Sequence, residues 1–201
     1  MSVDTKLTKT PYQKEKYTDE QLQELAKCTM DPQYFIVKYC WIQHPTKGRM
    51  KFDLFDFQKG LLDAYHNHKY SIALISRQMG KSTAAAAYLL WYAMFMPDQT
   101  ILIAAHKYSG AQEIMQRIRF AYELLPNFIR AGVTAYNKGS LEFDNGSRIV
   151  AQATTENTGR GLSISLAYLD EFAFVRPTIA REFWTSLSPT LSTGGKCIIT
   201  S

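Results

Sequence analysis

The hydrophobic rhythm of the chain changes near residue 70. Before that point, apolar positions fall in short helical groups separated by polar turns. Residues 1–18 show no apolar periodicity and carry Lys6, Lys9, Lys14, Glu15 and Lys16, which predicts a flexible N-terminal arm. Thr18 is placed to cap a helix from Asp19 to about Lys27. Asp31-Pro32 opens a second predicted helix, Gln33 to Trp41, with aromatic residues Tyr34, Phe35, Tyr39 and Trp41. His44-Pro45-Thr46-Lys47-Gly48 reads as a turn, and Phe57 to Tyr65 as a third helix. Residues 19–69 are therefore expected to form a helical lead-in.

From residue 70 onward, strands alternate with helices. Ser71 to Ser76 is a short apolar strand, followed by a helix from Ser82 to Met96. After the break at Pro97-Asp98, Thr100 to Ala105 reads as a second buried strand. Ala111 to Leu125 places Ile114, Ile118, Tyr122 and Leu125 on one helical stripe, which Pro126 ends. Leu141 to Phe143 and Arg148 to Ala151 flank Asn145-Gly146, a hairpin signal. Ser165 to Leu169 and Cys197 to Thr200 are further strands, with a helix from Thr178 to Leu187 between them. Such alternation predicts an α/β fold with a mostly parallel sheet covered by helices on both faces. Ligands of such sheets sit at the carboxyl ends of the strands.

Composition adds bounds to this picture. The 201 residues are 46% hydrophobic and 20% charged, a globular balance for one domain with a small appendage. The longest apolar run, Ala84 to Met96, falls short of the roughly 20 residues that span a bilayer. No membrane partner is expected, and residues 1–20 are too polar for a secretory signal. Three widely spaced cysteines, Cys28, Cys40 and Cys197, lack zinc spacing and read as reduced thiols. The net charge of +5 permits contact with a polyanion without establishing one.

Between the first strand of the core and its long helix stands Ser76-Arg77-Gln78-Met79-Gly80-Lys81-Ser82-Thr83, in the context a phosphate-binding loop requires. A triphosphate carries several negative charges, so its site must present many donors at once. Gly80 lets the backbone curl, so that exposed N–H groups and a helix N-terminus face the anion. Lys81 supplies a point charge for the β- and γ-phosphates, and Ser82 offers a hydroxyl to Mg²⁺. The loop departs from GxxxxGK[ST], because Ile75 stands six residues before Lys81 where that pattern has glycine. Arg77 either reaches the γ-phosphate or pairs with a surface carboxylate.

A second element completes the chemistry. The apolar stretch Ile164 to Leu169 ends in Asp170-Glu171. A strand delivers Asp170 to its carboxyl end, where an aspartate beside a phosphate loop holds Mg²⁺ through water. Glu171 is then the residue that orients and deprotonates the attacking water. ATP and Mg²⁺ are the expected cofactors. Arg160, between Gly159 and Gly161, either contacts a nucleotide on a neighbouring subunit or serves as a loop arginine facing water or DNA phosphate. Gln58, after Phe57, either reads the adenine edge or is an exposed helical amide. Thr200-Ser201 either sense the γ-phosphate or simply end a strand.

Taken together these residues resemble a known family. Ser76 to Ser82 is similar to the deviant Walker A loop of large terminase subunits from tailed phages, T-even-type myoviruses above all. The likeness runs from about Asp31 to Ser201. It includes Phe57-Gln58, Ile103-Ala104-Ala105-His106-Lys107, Glu123-Leu124-Leu125-Pro126, Asn137-Lys138-Gly139-Ser140, Asp144-Asn145-Gly146-Ser147 and Tyr168-Leu169-Asp170-Glu171. The resemblance implies a RecA-like P-loop NTPase core over residues 70–201 that drives viral double-stranded DNA into a procapsid. It implies Lys81 and Ser82 as phosphate and Mg²⁺ residues, Asp170 as the Walker B aspartate and Glu171 as the catalytic glutamate. Arg77 matches the loop arginine, Arg160 a finger acting in trans, Gln58 the adenine motif, and Thr200-Ser201 the start of a coupling motif. The family forms a ring, thought pentameric, on the capsid portal. Portal protein and small terminase subunit are thus implied partners, and host cytoplasm with transient attachment to the procapsid the implied location. The family's acid-rich nuclease domain has no counterpart here, so the core is expected to be truncated and DNA cleavage is not expected.

Two other readings compete. A helicase-like translocase shares this core, but such enzymes read Asp-Glu-Ala-Asp or Asp-Glu-x-His, where this chain has Asp170-Glu171-Phe172-Ala173. A nucleotide-binding module without hydrolysis would differ in being indifferent to loss of Glu171.

Overall fold

The computed structural model describes residues 7–159 and 161–201, so Arg160 lies outside the described residues. The chain begins with helices α1 (Asp19–Met30) and α2 (Pro32–Tyr39), then strands β1 (Trp41–His44) and β2 (Gly48–Lys51), and helix α3 (Asp56–Asn67). The core follows as β3 (Tyr70–Ala73), α4 (Lys81–Phe95), β4 (Thr100–Ala105) and α5 (Tyr108–Glu123). After it come β5 (Val133–Tyr136), β6 (Ser140–Phe143), β7 (Arg148–Ala153), β8 (Leu166–Asp170), a 3₁₀ turn at Phe172–Phe174, α6 (Pro177–Ser192) and β9 (Lys196–Thr200).

Among the described residues the main sheet has seven strands in the order β3-β9-β8-β4-β7-β6-β5. The first five run parallel, and β6 and β5 add an antiparallel margin. Side-chain alternation along the strands explains how both faces are covered. Ile101, Ile103 and Ala105 of β4 join the cluster under α1 to α5, whereas Leu102 and Ala104 join Phe183, Leu187 and Leu191 of α6. All five residues of β8 are buried, the continuous run that a parallel strand between two helical layers requires.

Helix α4 sits under the sheet and is apolar nearly all round. Residues Ala84 to Trp91 are all buried, and the run of four alanines allows close approach. Trp91 Nε1 donates to the Cys28 carbonyl at 2.7 Å and Tyr88 Oη to that of Tyr65 at 3.3 Å, which ties the lead-in to the core. Among the described residues no helix is long and apolar enough to cross a membrane.

The structure corrects the expected elements in several places. The second helix ends at Tyr39, not Trp41. Cys40 turns extended (φ −76°, ψ 143°) and its carbonyl accepts from Phe52 N at 3.1 Å. Trp41 instead opens an antiparallel hairpin, paired with Lys51, in which aromatic residues are equally at home. Strand β3 is shorter than Ser71 to Ser76, although Ile75 N still donates to the Ser201 carbonyl. Helix α6 continues through Pro189 to Ser192, because burial of Leu187 and Leu191 outweighs the lost backbone bond. Strand β5 has no clear signal in its four residues. Residues 7–18, expected within a flexible arm, make specific contacts with the core. Val133 N donates to the Lys9 carbonyl at 3.0 Å, Lys9 N donates to Tyr122 Oη, and the Lys9 ammonium is buried against Glu15 at 2.8 Å. The segment closes the β5 end of the sheet by supplying a backbone acceptor that the last strand lacks.

Candidate active site

The loop from Leu74 to Gly80 leaves the carboxyl end of β3 and enters α4. Gly80 is the N-cap of that helix, with φ +73°. Gln78 (φ +63°) is also left-handed, as is Glu171 (φ +53°) at the end of β8. Non-glycine residues rarely adopt this region, and when they do they gather at functional sites. Among the described residues the backbone N–H groups of Arg77, Gln78, Met79, Gly80 and Lys81 donate to no protein acceptor. With the α4 N-terminus they form a run of unpaired donors, which suits an anion.

Two elements deliver the charged groups to this loop. The Lys81 side chain is almost fully buried, and its Nζ donates to Glu171 Oε1 at 2.8 Å. Ser82 Oγ lies 3.3 Å from Asp170 Oδ1 and 3.4 Å from Oδ2. Paired hard oxygens of this kind fit Mg²⁺, which asks for few protein ligands and keeps water or phosphate oxygens for the rest.

Asp170 is buttressed from inside the protein. Thr200 Oγ1 donates to Asp170 Oδ1 at 2.8 Å, and Tyr168 Oη donates to the same oxygen at 3.0 Å. The two hydroxyls are 3.1 Å apart, and both residues are fully buried. Burial, and then the charge of Asp170, push the Tyr168 phenol well up, so it acts only as a neutral donor.

Gln58 is buried rather than exposed. Its Oε1 accepts from Phe55 N and its Nε2 donates to the Met79 carbonyl, each at 3.1 Å. It therefore braces the loop from beneath. The exposed rings of Phe55 and Phe57 stack beside it, with centroids 5.9 Å apart. Arg77 leans over Phe174 at 5.9 Å, in the 3₁₀ turn that follows Glu171.

The family pattern described as terminase large subunit, T4likevirus-type, N-terminal, matches residues 72–201. The chain belongs to this family. Solved terminases share its fold. The HK97 bacteriophage large terminase superposes with a TM-score of 0.67 at 21% identity, covering 86% of this chain and 37% of that one. The Thermus phage P74-26 large terminase ATPase domain gives 0.57 at 22% identity, over 75% of this chain and 65% of that one. A large terminase from a thermophilic bacteriophage, in complex with ADP, gives 0.54 at 13% identity, over 74% of this chain and 38% of that one. The terminase chain thus has the α/β core fold of these large terminases, and it spans less than half the length of the HK97 chain and of the ADP-bound one.

Within this terminase fold, Lys81, Ser82, Asp170, Glu171 and Thr200 come together at one strand edge. Ser76, Met79 and Thr83 lie on or next to the same loop. Ser201 takes part through its backbone, donating to the Ala73 carbonyl at 3.0 Å. Sequence reasoning missed Tyr168, although its position two residues before Asp170 puts both on one face of a strand. It also missed Arg117, whose Nη1 donates to Thr83 Oγ1 at 2.8 Å from the neighbouring helix α5. A pairing across two helices between residues 34 apart leaves no local pattern to read.

Proposed function

We propose that this chain is the ATP-hydrolysing motor part of a phage terminase, powering movement of double-stranded DNA into a procapsid. The observation that carries the proposal is the convergence of Lys81 and Ser82 on Asp170 and Glu171 at the end of the sheet. The loop amides from Arg77 to Lys81, within the Ser76–Thr83 loop, cradle the triphosphate, and Lys81 binds its β- and γ-oxygens. Ser82 and Asp170 are the residues that would hold Mg²⁺, which when bound neutralises phosphate charge. Glu171 orients the attacking water and accepts its proton. Arg77 and Arg160 are the arginines assigned to transition-state charge, the second from a neighbouring subunit. Gln58 stands on the adenine side, with its second Nε2 hydrogen left for the base. Thr200-Ser201 link the phosphate site to the strand behind it.

The wider setting follows from the family. It comprises a homo-oligomeric ring, pentameric by the resemblance, with portal protein and small terminase subunit as partners. Its place is the host cytoplasm, in transient contact with the procapsid.

The test is steady-state phosphate release with three proteins. The unmodified chain should release phosphate from ATP. Lys81→Ala should lose both nucleotide binding and turnover. Glu171→Gln should keep binding while turnover falls by about 10²- to 10⁴-fold. Turnover of Glu171→Gln at the unmodified rate would overturn the assignment of Glu171 as the base, whereas nucleotide binding without phosphate release by the unmodified chain would favour a nucleotide-binding module.

A further inference from the structure

Asp170 is held by more than its role as a metal ligand needs. Three hydroxyls, those of Tyr168, Thr200 and Ser82, lie within hydrogen-bond reach of Oδ1, whereas Ser82 alone reaches Oδ2, at 3.4 Å. The carboxylate is therefore anchored through one oxygen and presents the other. The two buried anchors differ in how they are carried. Tyr168 and Asp170 sit on the same face of β8, two residues apart, so their contact survives any movement of β8 against its neighbours. Thr200 is on β9, so its contact with Asp170 depends on the packing of β9 beside β8.

Counting protons sharpens the contrast. Tyr168 and Thr200 each have one hydroxyl hydrogen, and both can be spent on Asp170 Oδ1 at once. Alternatively one hydroxyl donates to the other across 3.1 Å. If Thr200 withdraws, Tyr168 still satisfies Oδ1, and the buried carboxylate is never left bare. A tyrosine serving only to fill core volume would not need its oxygen at this point.

We propose that Tyr168 is the positioning residue that fixes the Asp170 carboxylate for its metal, and that Thr200 is the releasable partner of the same oxygen. The proposal rests on Asp170 being the Mg²⁺ residue of the nucleotide site. Tyr168 thereby lets β9 shift during a nucleotide cycle without dismantling the metal site.

The test is equilibrium binding of a fluorescent, non-hydrolysable ATP analogue to the full chain, titrated with Mg²⁺ and repeated in EDTA. Tyr168→Phe keeps the ring and removes only the oxygen. Its half-saturating Mg²⁺ concentration should rise by about tenfold, as expected for a hydrogen bond to a charged group. Its metal-free affinity for the analogue should be unchanged, which a general loss of folding would not spare. Thr200→Val should raise the Mg²⁺ requirement less than Tyr168→Phe. The double variant should exceed the product of the two single effects, because Oδ1 then has no buried donor. A Mg²⁺ requirement of Tyr168→Phe within twofold of the unmodified chain overturns the proposal, as does a Thr200→Val effect equal to or larger than that of Tyr168→Phe. If the unmodified chain binds the analogue without any Mg²⁺ dependence, the fault lies instead with the metal assignment of Asp170. Thermal melts of each variant, run beside the titrations, confirm that the folded protein is being compared.

Discussion

Lys81 Nζ and Glu171 Oε1 are 2.8 Å apart, so the cation assigned to phosphate and the base assigned to water are each other's partner. The Lys81 side chain is 8% exposed and that of Glu171 36%, so the pair is half open to solvent and of modest strength. A triphosphate carries more charge than one carboxylate and is the stronger attractor for Lys81. Its arrival would free Glu171 at the moment the water needs a base. Glu171→Gln should therefore bind the ATP analogue more tightly, by about two- to fivefold, since breaking a pair open to solvent on its Glu171 side costs about 0.4–1 kcal/mol. Fluorescence titration checks this, and weaker binding by Glu171→Gln would show that the ion pair does not oppose nucleotide.

Gly80 offers a sharper test of the loop. A Cβ built on it would lie 2.7 Å from Gln58 Nε2, at a φ of +73° that side chains disfavour. Gln58 cannot swing aside cheaply, because it is buried and bonded to Phe55 N and the Met79 carbonyl. Gly80→Ala should cost about 1–3 kcal/mol in urea unfolding and abolish analogue binding. Gly60, in the middle of α3, meets nothing within 4 Å. Gly60→Ala should instead gain about 0.5–1 kcal/mol and leave binding intact. Equal effects at the two sites would mean that the loop imposes no special conformation.

Much of the core is legible in the sequence because two rules act locally. Strand β4 can be read to its ends, since six largely buried residues between Gln99 and His106 allow little else. The end of β8 at Asp170 is legible because an apolar strand must end where its chain turns polar. The antiparallel hairpin of Trp41–Lys51 escapes such a reading, as aromatic content in a short segment serves helix and strand alike. The docking of Lys9 is invisible for another reason. Its partners, Tyr122, Asn127 and Val133, lie more than a hundred residues away, and a lysine buried by one carboxylate looks in sequence like any other surface charge. Tyr168 shows the same limit in the site. Its strand position is readable, but the oxygen of Thr200 that gives it meaning is not.

The lead-in helices carry a pH dependence of their own. Glu24 accepts from Lys38 at 2.6 Å, from Tyr39 Oη at 2.7 Å, from Tyr34 Oη at 2.9 Å and from Lys27 at 3.1 Å. Lys38 first, then Tyr39 and Lys27, hold its carboxyl well below the usual range. A carboxylate lowered by folding stabilises the protein above its unfolded pKa of about 4.3, and that contribution fades as acid protonates it. Glu24→Gln should therefore lower the urea midpoint near neutral pH. The gap to the unmodified chain should shrink as pH falls below about 5, through the unfolded carboxyl's range and on towards the lower range of the native one. A gap that is constant with pH would assign the loss to geometry rather than charge.

The other margin of the sheet, at β3, is open. Among the described residues strand β3 pairs only with β9, so its outer edge carries free backbone groups. Apolar side chains surround that edge, with Ile72 73% exposed and Leu74 79% exposed. On the α6 side a groove is lined by Tyr70, Ile72, Phe172, Trp184 and Ile199. A flat apolar edge of this kind recruits another strand, and for this chain in isolation the nearest available one belongs to a second copy. The 201-residue chain should self-associate as its concentration rises. Ile72→Lys should suppress association, because a charge on an edge strand opposes strand addition, and it should change stability by less than about 0.5 kcal/mol. Met30→Lys, equally apolar and exposed but at the end of α1, is the control and should leave association unchanged. Sedimentation velocity distinguishes the three proteins. Association that is insensitive to Ile72→Lys, or equally reduced by both substitutions, would remove β3 as its seat.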